Sequence, residues 1–304
     1  MEHILVTNSL TKKYRHHKAV DGVNMHVGRG AIYGLIGRNG AGKTTLLKMI
    51  SGLAGPTDGE FSLFGQTGKK TTPLFSRIGT LIESPGIFGN MDATENLRLK
   101  AIALGVRKKN HVEELLELVG LSHTGNKRVK NFSLGMKQRL GIALAMVGEP
   151  DMVILDEPIN GLDPHGIAEI RETLCRLNAE KQITFIISSH ILEELSKIAT
   201  HYGIIHNGVL LQELTRKELH DKCSERIELT VDDTSKACTI LEAMDFRHFK
   251  VVSNDTIHIF ERLDDTGEIA VALSCQGVKT IGIVVKNEAL EDYFLNLTGG
   301  ERNV

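Results

Sequence analysis

Gly37-Arg38-Asn39-Gly40-Ala41-Gly42-Lys43-Thr44 fits the pattern G-x-x-x-x-G-K-[ST], and the residues on either side decide how it is read. Before it, Ala31-Ile32-Tyr33-Gly34-Leu35-Ile36 is a short apolar run of buried-strand type. After it, Thr45-Leu46-Leu47-Lys48-Met49-Ile50 carries helical spacing. A strand feeding a glycine loop into a helix start points several backbone N–H groups and the positive helix end at one anion. Glycine is required because a Cβ would keep the backbone from wrapping a phosphate. In such a loop the lysine reaches the β- and γ-phosphates and the hydroxyl binds Mg²⁺, roles that fall here to Lys43 and Thr44.

The rest of the chain is ordinary in bulk. Its 304 residues suffice for one large or two smaller domains. Hydrophobic residues make up 41% and charged residues 24%, as in a soluble globular protein. A net charge of −2 gives no electrostatic footprint for nucleic acid. Cys175, Cys223, Cys238 and Cys275 are scattered without a C-x-x-C pair, and are expected to be buried, reduced thiols. The stretch Met1 to Thr7 lacks the basic and apolar regions of a signal peptide. No window approaches the roughly twenty apolar residues that a membrane span needs. These features predict a cytosolic chain whose membrane role, if any, comes through a partner.

Working outward from the glycine loop, strand signals appear at Ile4–Leu10, Val23–Val27 and Gly59–Gly65. Ala93–Leu104, Lys109–Val119 and Leu134–Val147 carry apolar residues at helical spacing. Strand signals return at Met152–Leu155 and Thr184–Ile187, around a helix from Gly166 to Glu180. This pattern predicts a parallel α/β core over residues 1–220, with a helical insertion at about 91–148. From residue 221 to 304 the order is β-α-β-β-α-β: strands at Glu225–Val231, Arg247–Val252, Thr256–Glu261 and Val278–Val285, helices at Thr234–Met244 and Asp265–Cys275. A last helix is expected at Glu288–Leu297. That order suggests a small ferredoxin-like α+β unit. No cluster in it looks catalytic, so docking or dimer support is the expected role, with ligand sensing the other.

Two further strings carry chemistry. Met152-Val153-Ile154-Leu155-Asp156-Glu157 is a buried strand ending in two carboxylates. Beside a phosphate loop the first can hold Mg²⁺ and the second can deprotonate an attacking water. In Asn131-Phe132-Ser133-Leu134-Gly135-Met136-Lys137-Gln138-Arg139-Leu140, Ser133 stands at a helix start, where serine caps free N–H groups. On these strings the chain resembles the nucleotide-binding subunit of an ATP-binding-cassette transporter, whose signature is L-S-G-G-Q. Here it reads Phe132-Ser133-Leu134-Gly135-Met136, three positions departing. Ser133 and Gly135, the two that touch phosphate in the family, are kept.

The resemblance runs from about Ile4 to Leu214 and implies further roles. Tyr14 stands where the family stacks an aromatic on adenine. Asn160-Gly161-Leu162-Asp163 matches a loop that crosses the dimer interface, with Asp163 as a nucleotide-site residue. His190, in Ile187-Ser188-Ser189-His190, matches the histidine that contacts the γ-phosphate. The implied contacts to ATP are Tyr14, Gly37, Asn39, Gly40, Ala41, Gly42, Lys43, Thr44, Thr45, Ser133, Gly135 and Asp163, with Glu157 as base beside His190. Thr44, Asp156 and Glu83 are the implied Mg²⁺ residues. Glu83, in Ile78-Gly79-Thr80-Leu81-Ile82-Glu83-Ser84-Pro85-Gly86-Ile87-Phe88, replaces the family's usual Gln, adding a charge and losing an amide donor. His16-His17 reads as a solvated loop pair.

The Ile-Glu-Ser-Pro-Gly run and Glu288-Ala289-Leu290-Glu291-Asp292-Tyr293-Phe294 resemble the branch that exports bacitracin and lantibiotics, where the ATPase confers immunity or resistance. This implies a P-loop α/β ATPase at the inner face of the cell membrane, working with a separate integral-membrane permease. One phosphate loop and one signature per chain imply a head-to-tail homodimer around two ATP. A soluble ABC-type assembly or regulatory ATPase, an importer ATPase and an exporter ATPase for another cargo are the alternatives. The stretch between Lys43 and Asp156 is too short for the coiled coil of a chromosome-segregation ATPase.

Overall fold

The computed structural model describes residues 2–223, 225–286 and 290–299. Its internal contacts divide the chain into two units, Met1–Arg216 and Lys217–Val304.

The first unit opens with β1 (His3–Tyr14), β2 (His17–Val23) and β3 (His26–Gly28), then β4 (Ile32–Ile36), α1 (Lys43–Ile50), β5 (Asp58–Leu63) and β6 (Gln66–Thr67). A 3₁₀ stretch, Gly68–Arg77, leads into β7 (Ile78–Leu81). Helices α2 (Ala93–Leu104), α3 (His111–Leu118) and α4 (Leu134–Met146) follow. The α/β pattern then resumes with β8 (Met152–Asp156), α5 (Pro164–Lys181), β9 (Thr184–Ser189), α6 (Leu192–Ser196), β10 (His201–His206) and β11 (Val209–Thr215).

Two sheets result. The central one has the order β11-β10-β4-β9-β8-β7, parallel throughout except for the β10–β11 hairpin. Every residue of β4, β8 and β9 is buried, as expected for inner strands covered on both faces. The other sheet, β2-β1-β5-β6 with β3 also on β1, is antiparallel. Leu5, Leu10, Val20, Leu35, Leu46, Met152 and Ile186 belong to one apolar core shared by both sheets. The pairing Ile36↔Ser189 and Asp156↔Ser188 brings the carboxyl ends of β4, β9 and β8 side by side. In an open α/β sheet that edge is where ligands bind.

The parallel α/β core read from the sequence is present. The expected strand Val23–Val27 is instead two strands, with Asn24-Met25 between them. Fully buried Thr7 causes the break: its hydroxyl donates to the Val23 carbonyl and accepts the Met25 N–H. The expected full burial of the thiols does not hold: Cys175 is on an open face of α5, Cys223 and Cys275 end their helices, and Cys238 packs only partly against an apolar core. Cys175 and Cys275 are exposed, and Cys223 and Cys238 half-buried. Among the described residues no helix is long and apolar enough to cross a membrane.

The second unit contains α7 (Arg216–Cys223) from its second residue on, then β12 (Arg226–Val231), α8 (Thr234–Ala243), β13 (Phe249–Val251), β14 (Thr256–Ile259), α9 (Thr266–Cys275), β15 (Thr280–Lys286) and α10 (Leu290–Thr298). Its sheet order is β13-β14-β12-β15, antiparallel throughout, the arrangement of a split β-α-β motif. Ile227, Leu229, Val231, Ile257 and Ile259 face its core. Glu288 and Ala289, with which the last helix was expected to begin, lie outside the described residues.

Candidate functional site

The glycine loop spans Gly37 to Gly42, between the end of β4 and the start of α1. Gly42 adopts φ +104°, and a Cβ on it would come within 2.4 Å of the Ala19 carbonyl oxygen. A Cβ on Gly37 would meet the Ile205 carbonyl oxygen at 2.6 Å. Packing against neighbouring backbone therefore demands these two glycines before any ligand is considered. α1 has no side-chain cap and no acidic residue in its first turn. Its first N–H groups and positive end are left to an incoming anion.

Five predicted residues meet at this edge. The Lys43 ammonium, 5% exposed, donates to the carbonyls of Gly37 at 2.6 Å and Arg38 at 3.2 Å. It also lies 3.0 Å from Glu157 Oε1. The other Glu157 oxygen is 2.8 Å from His190 Nδ1. The Thr44 hydroxyl donates to Asp156 Oδ2 at 2.7 Å. Glu157 takes φ +50°, a region disfavoured for a residue with a Cβ, and strain of this kind clusters at functional sites.

Ser188 is a residue that the sequence reading passed over. Its hydroxyl donates to Asp156 Oδ1 at 2.6 Å and accepts the Glu157 N–H at 2.9 Å. It thereby fixes both carboxylates, one through its side chain and one through its backbone. The string Ser188-Ser189-His190 held the clue, because two polar residues closing a buried strand need partners there.

The other candidates make local contacts. Ser133 is exposed and caps α4 by accepting the Met136 N–H at 3.2 Å. Gly135 lies close to Leu162, so a Cβ there would be 3.7 Å from its side chain. Asp163 caps α5, accepting the Gly166 N–H at 3.0 Å. Tyr14 ends β1 with its ring 48% exposed and the Lys12 ammonium 5.3 Å from its centroid. Asn39 and Gly40 are exposed on the loop, Ala41 is buried and Thr45 half-buried. Glu83 is held by Lys48, not by the Thr44–Asp156 pair, with Oε1 2.5 Å from the ammonium. That neighbouring carboxylate holds the Lys48 ammonium above the usual lysine range. His16 and His17 are exposed.

Mg²⁺ takes oxygen ligands and retains several waters, using one or two carboxylates plus substrate phosphates. Thr44 and Asp156 offer such oxygens side by side. Among the described residues no group of three or more His, Cys, Asp and Glu could hold a metal by itself. The paired Thr44 and Asp156 oxygens fit a cation that takes its remaining ligands from water and phosphate.

A family model for the ABC transporter matches residues 20–160. The bacitracin transport ATP-binding protein of Bacillus licheniformis is 42% identical over 302 residues, covering 99% of each chain. The chain belongs to the ATP-binding proteins of ABC transporters. A lantibiotic transport ATP-binding protein of Streptococcus pyogenes is 40% identical over 210 residues, 69% of this chain and 90% of the relative. A nucleotide-free ATP-binding cassette from an ABC transporter superposes with a TM-score of 0.65 at 26% identity, covering 72% of this chain and 94% of that one. Membership makes this chain an ATPase. The Bacillus alignment spans so much of the chain that it necessarily includes the second unit.

Proposed function

We propose that this chain energises the export of a peptide antibiotic of the bacitracin or lantibiotic type and so protects the cell that carries it. The observation that carries this reading is the 42% identity to a bacitracin transport ATP-binding protein over 99% of both chains. The full-length extent of that likeness weighs against an assembly or regulatory ATPase.

In this reading Glu157 is the general base, accepting a proton from the water that attacks the γ-phosphate. His190, on the opposite carboxylate oxygen from Lys43, orients Glu157 and meets the γ-phosphate. Lys43 exchanges its loop carbonyls for phosphate oxygens. Thr44 and Asp156 would hold Mg²⁺, which supplies charge neutralisation on the β- and γ-phosphates when bound. Ser133 and Gly135 complete the site of a second copy in a head-to-tail dimer, and Tyr14 offers the exposed ring for adenine.

The partner is an integral-membrane permease, which places this chain at the inner face of the membrane. A cavity of about 560 Å³ supports a docking role for the β7–α2 region, with Leu81, Pro85, Phe88, Leu99 and Leu104 among its lining. Phe88 is 55% and Leu104 51% exposed there, and Ile102 on the same helix is 77% exposed, more apolar surface than a lone helix end needs. The test is growth under bacitracin of cells expressing this chain with the membrane protein that co-purifies with it. Wild type should raise the inhibitory concentration, while Glu157→Gln should leave it at the control value. Equal protection by both would refute the coupling of hydrolysis to export.

A further inference from the structure

Lys48 and Glu83 form an ion pair that belongs to neither the phosphate cluster nor the apolar cavity, yet it ties α1 to the loop after β7. Their charged atoms are 2.5 Å apart, with Glu83 64% exposed and Lys48 32% exposed. Lys48 follows Thr44 by four residues, so both stand on one face of α1, a single turn apart. Thr44 in turn hydrogen-bonds Asp156. Asp156 and Tyr14 both lie within electrostatic reach of the Lys48 ammonium.

The other side of the loop is fixed by packing. Leu81 and Pro85 press so close to Gly141 of α4 that a Cβ there would meet each at 3.0 Å. Glu83, between these anchors and α1, adopts φ +65°. A residue with a Cβ stays in that region only where its surroundings hold it. On the α1 side the holding contact is the ion pair.

We propose that Lys48 is a positioning residue for Glu83: it clasps the loop carboxylate to the phosphate-loop helix and sets how readily that carboxylate turns toward a bound nucleotide and its cation. The inference rests on the ATPase reading of the Thr44–Asp156 site. A carboxylate between two positive groups cannot serve both fully, so engaging one loosens the other. An amide at position 83 would carry no charge for Lys48 to oppose. An exposed pair is weak, which suits a clasp that opens in every cycle.

The test compares wild type with Lys48→Met, Lys48→Arg, Glu83→Gln and the Lys48→Met/Glu83→Gln double variant. Two quantities are read: hydrogen exchange across residues 82–92 without nucleotide, and the Mg²⁺ midpoint for binding a fluorescent ATP analogue. Lys48→Met should speed exchange and lower the midpoint, each by about 1.5–5-fold, the range an exposed ion pair supplies. Lys48→Arg should restore both, and in the Glu83→Gln background Lys48→Met should add nothing. Wild-type values for Lys48→Met, or an equal shift in the Glu83→Gln background, would overturn the clasp. Failure of wild type to bind the analogue at any Mg²⁺ concentration would instead remove the ATPase reading beneath it.

Discussion

The two units treat buried polarity in opposite ways. In the second, Ile227, Leu229 and Val231 alternate with Arg226, Glu228 and Thr230 along β12, apolar residues toward α8 and α9 and polar ones on the opposite face. Arg226 is the exception, buried on the outer face with Nη1 donating to the Lys222 carbonyl. In the first unit the central strands end in a buried set of Lys43, Asp156, Ser188 and Ser189. Removing such groups from water is costly unless each is paired. Here Asp156 pairs with Ser188, Lys43 with the Gly37 and Arg38 carbonyls and with Glu157, and Ser189 with Ile191, all at the carboxyl edge of the sheet. One unit spends its interior on stability, the other keeps part of it for chemistry.

The sharpest way to break that contrast is Glu157→Gln. The substitution keeps the side chain's size, turns one acceptor oxygen into an amide donor and removes the proposed base, and loss of a general base typically costs ~10²–10⁴-fold in rate. ATP binding should persist, and light scattering should show an ATP-dependent dimer. Adding Ser133→Ala should weaken that dimer about 10–150-fold, the worth of one charged hydrogen bond. Near-normal turnover by Glu157→Gln would move the base elsewhere, with His190 the first suspect.

The converse test is Leu229→Ala. Leu229 is fully buried between β14 and β15, and such truncations cost about 2–5 kcal/mol. Urea unfolding of the full chain should show the second unit destabilised by that amount. ATP turnover, measured where the chain is still folded, should stay at the wild-type value. A fall in turnover there would make the second unit part of the catalytic machinery.

What was legible in the sequence follows the same division. β4, β8 and β9 were readable because buried central strands are continuous apolar runs, and α2 from its apolar residues at helical spacing; the capping box of Asp92 and Glu95 that starts it is seen in the structure. Lys43, Asp156, Glu157 and His190 could be named from their strings. Their meeting depends on the registers Ile36↔Ser189 and Asp156↔Ser188, which no local pattern encodes. Ser188 and Lys48 were missed for that reason. The Lys48–Glu83 pair exists only because β7 takes the edge position beside β8. Thr7 broke a predicted strand through hydrogen bonds from its side chain, where propensity sees only a β-branched residue.

The smallest expected effect belongs to the polar face of the second unit. Lys286 Nζ lies 2.8 Å from Glu228 Oε2, and His258 Nε2 is 3.7 Å from the same oxygen. The Lys286 hydrogen bond holds the Glu228 carboxyl below the usual range despite partial burial, which acts the other way. A carboxylate with a depressed folded-state pKa contributes stability above its unfolded value of about 4.3 and loses it as pH falls through the folded value. Burial and nearby Arg226 push the His258 imidazole down, so lower pH is needed to charge it. Lys286 is nearly half exposed, so water screens the pair to about 0.2–1 kcal/mol. Lys286→Met should therefore lower the unfolding free energy by that amount at pH 7, and the gap to wild type should close below about pH 4. A gap that stays constant from pH 7 to pH 3 would mean that Lys286 acts by packing its stem against the strand, and that Glu228 is a bystander.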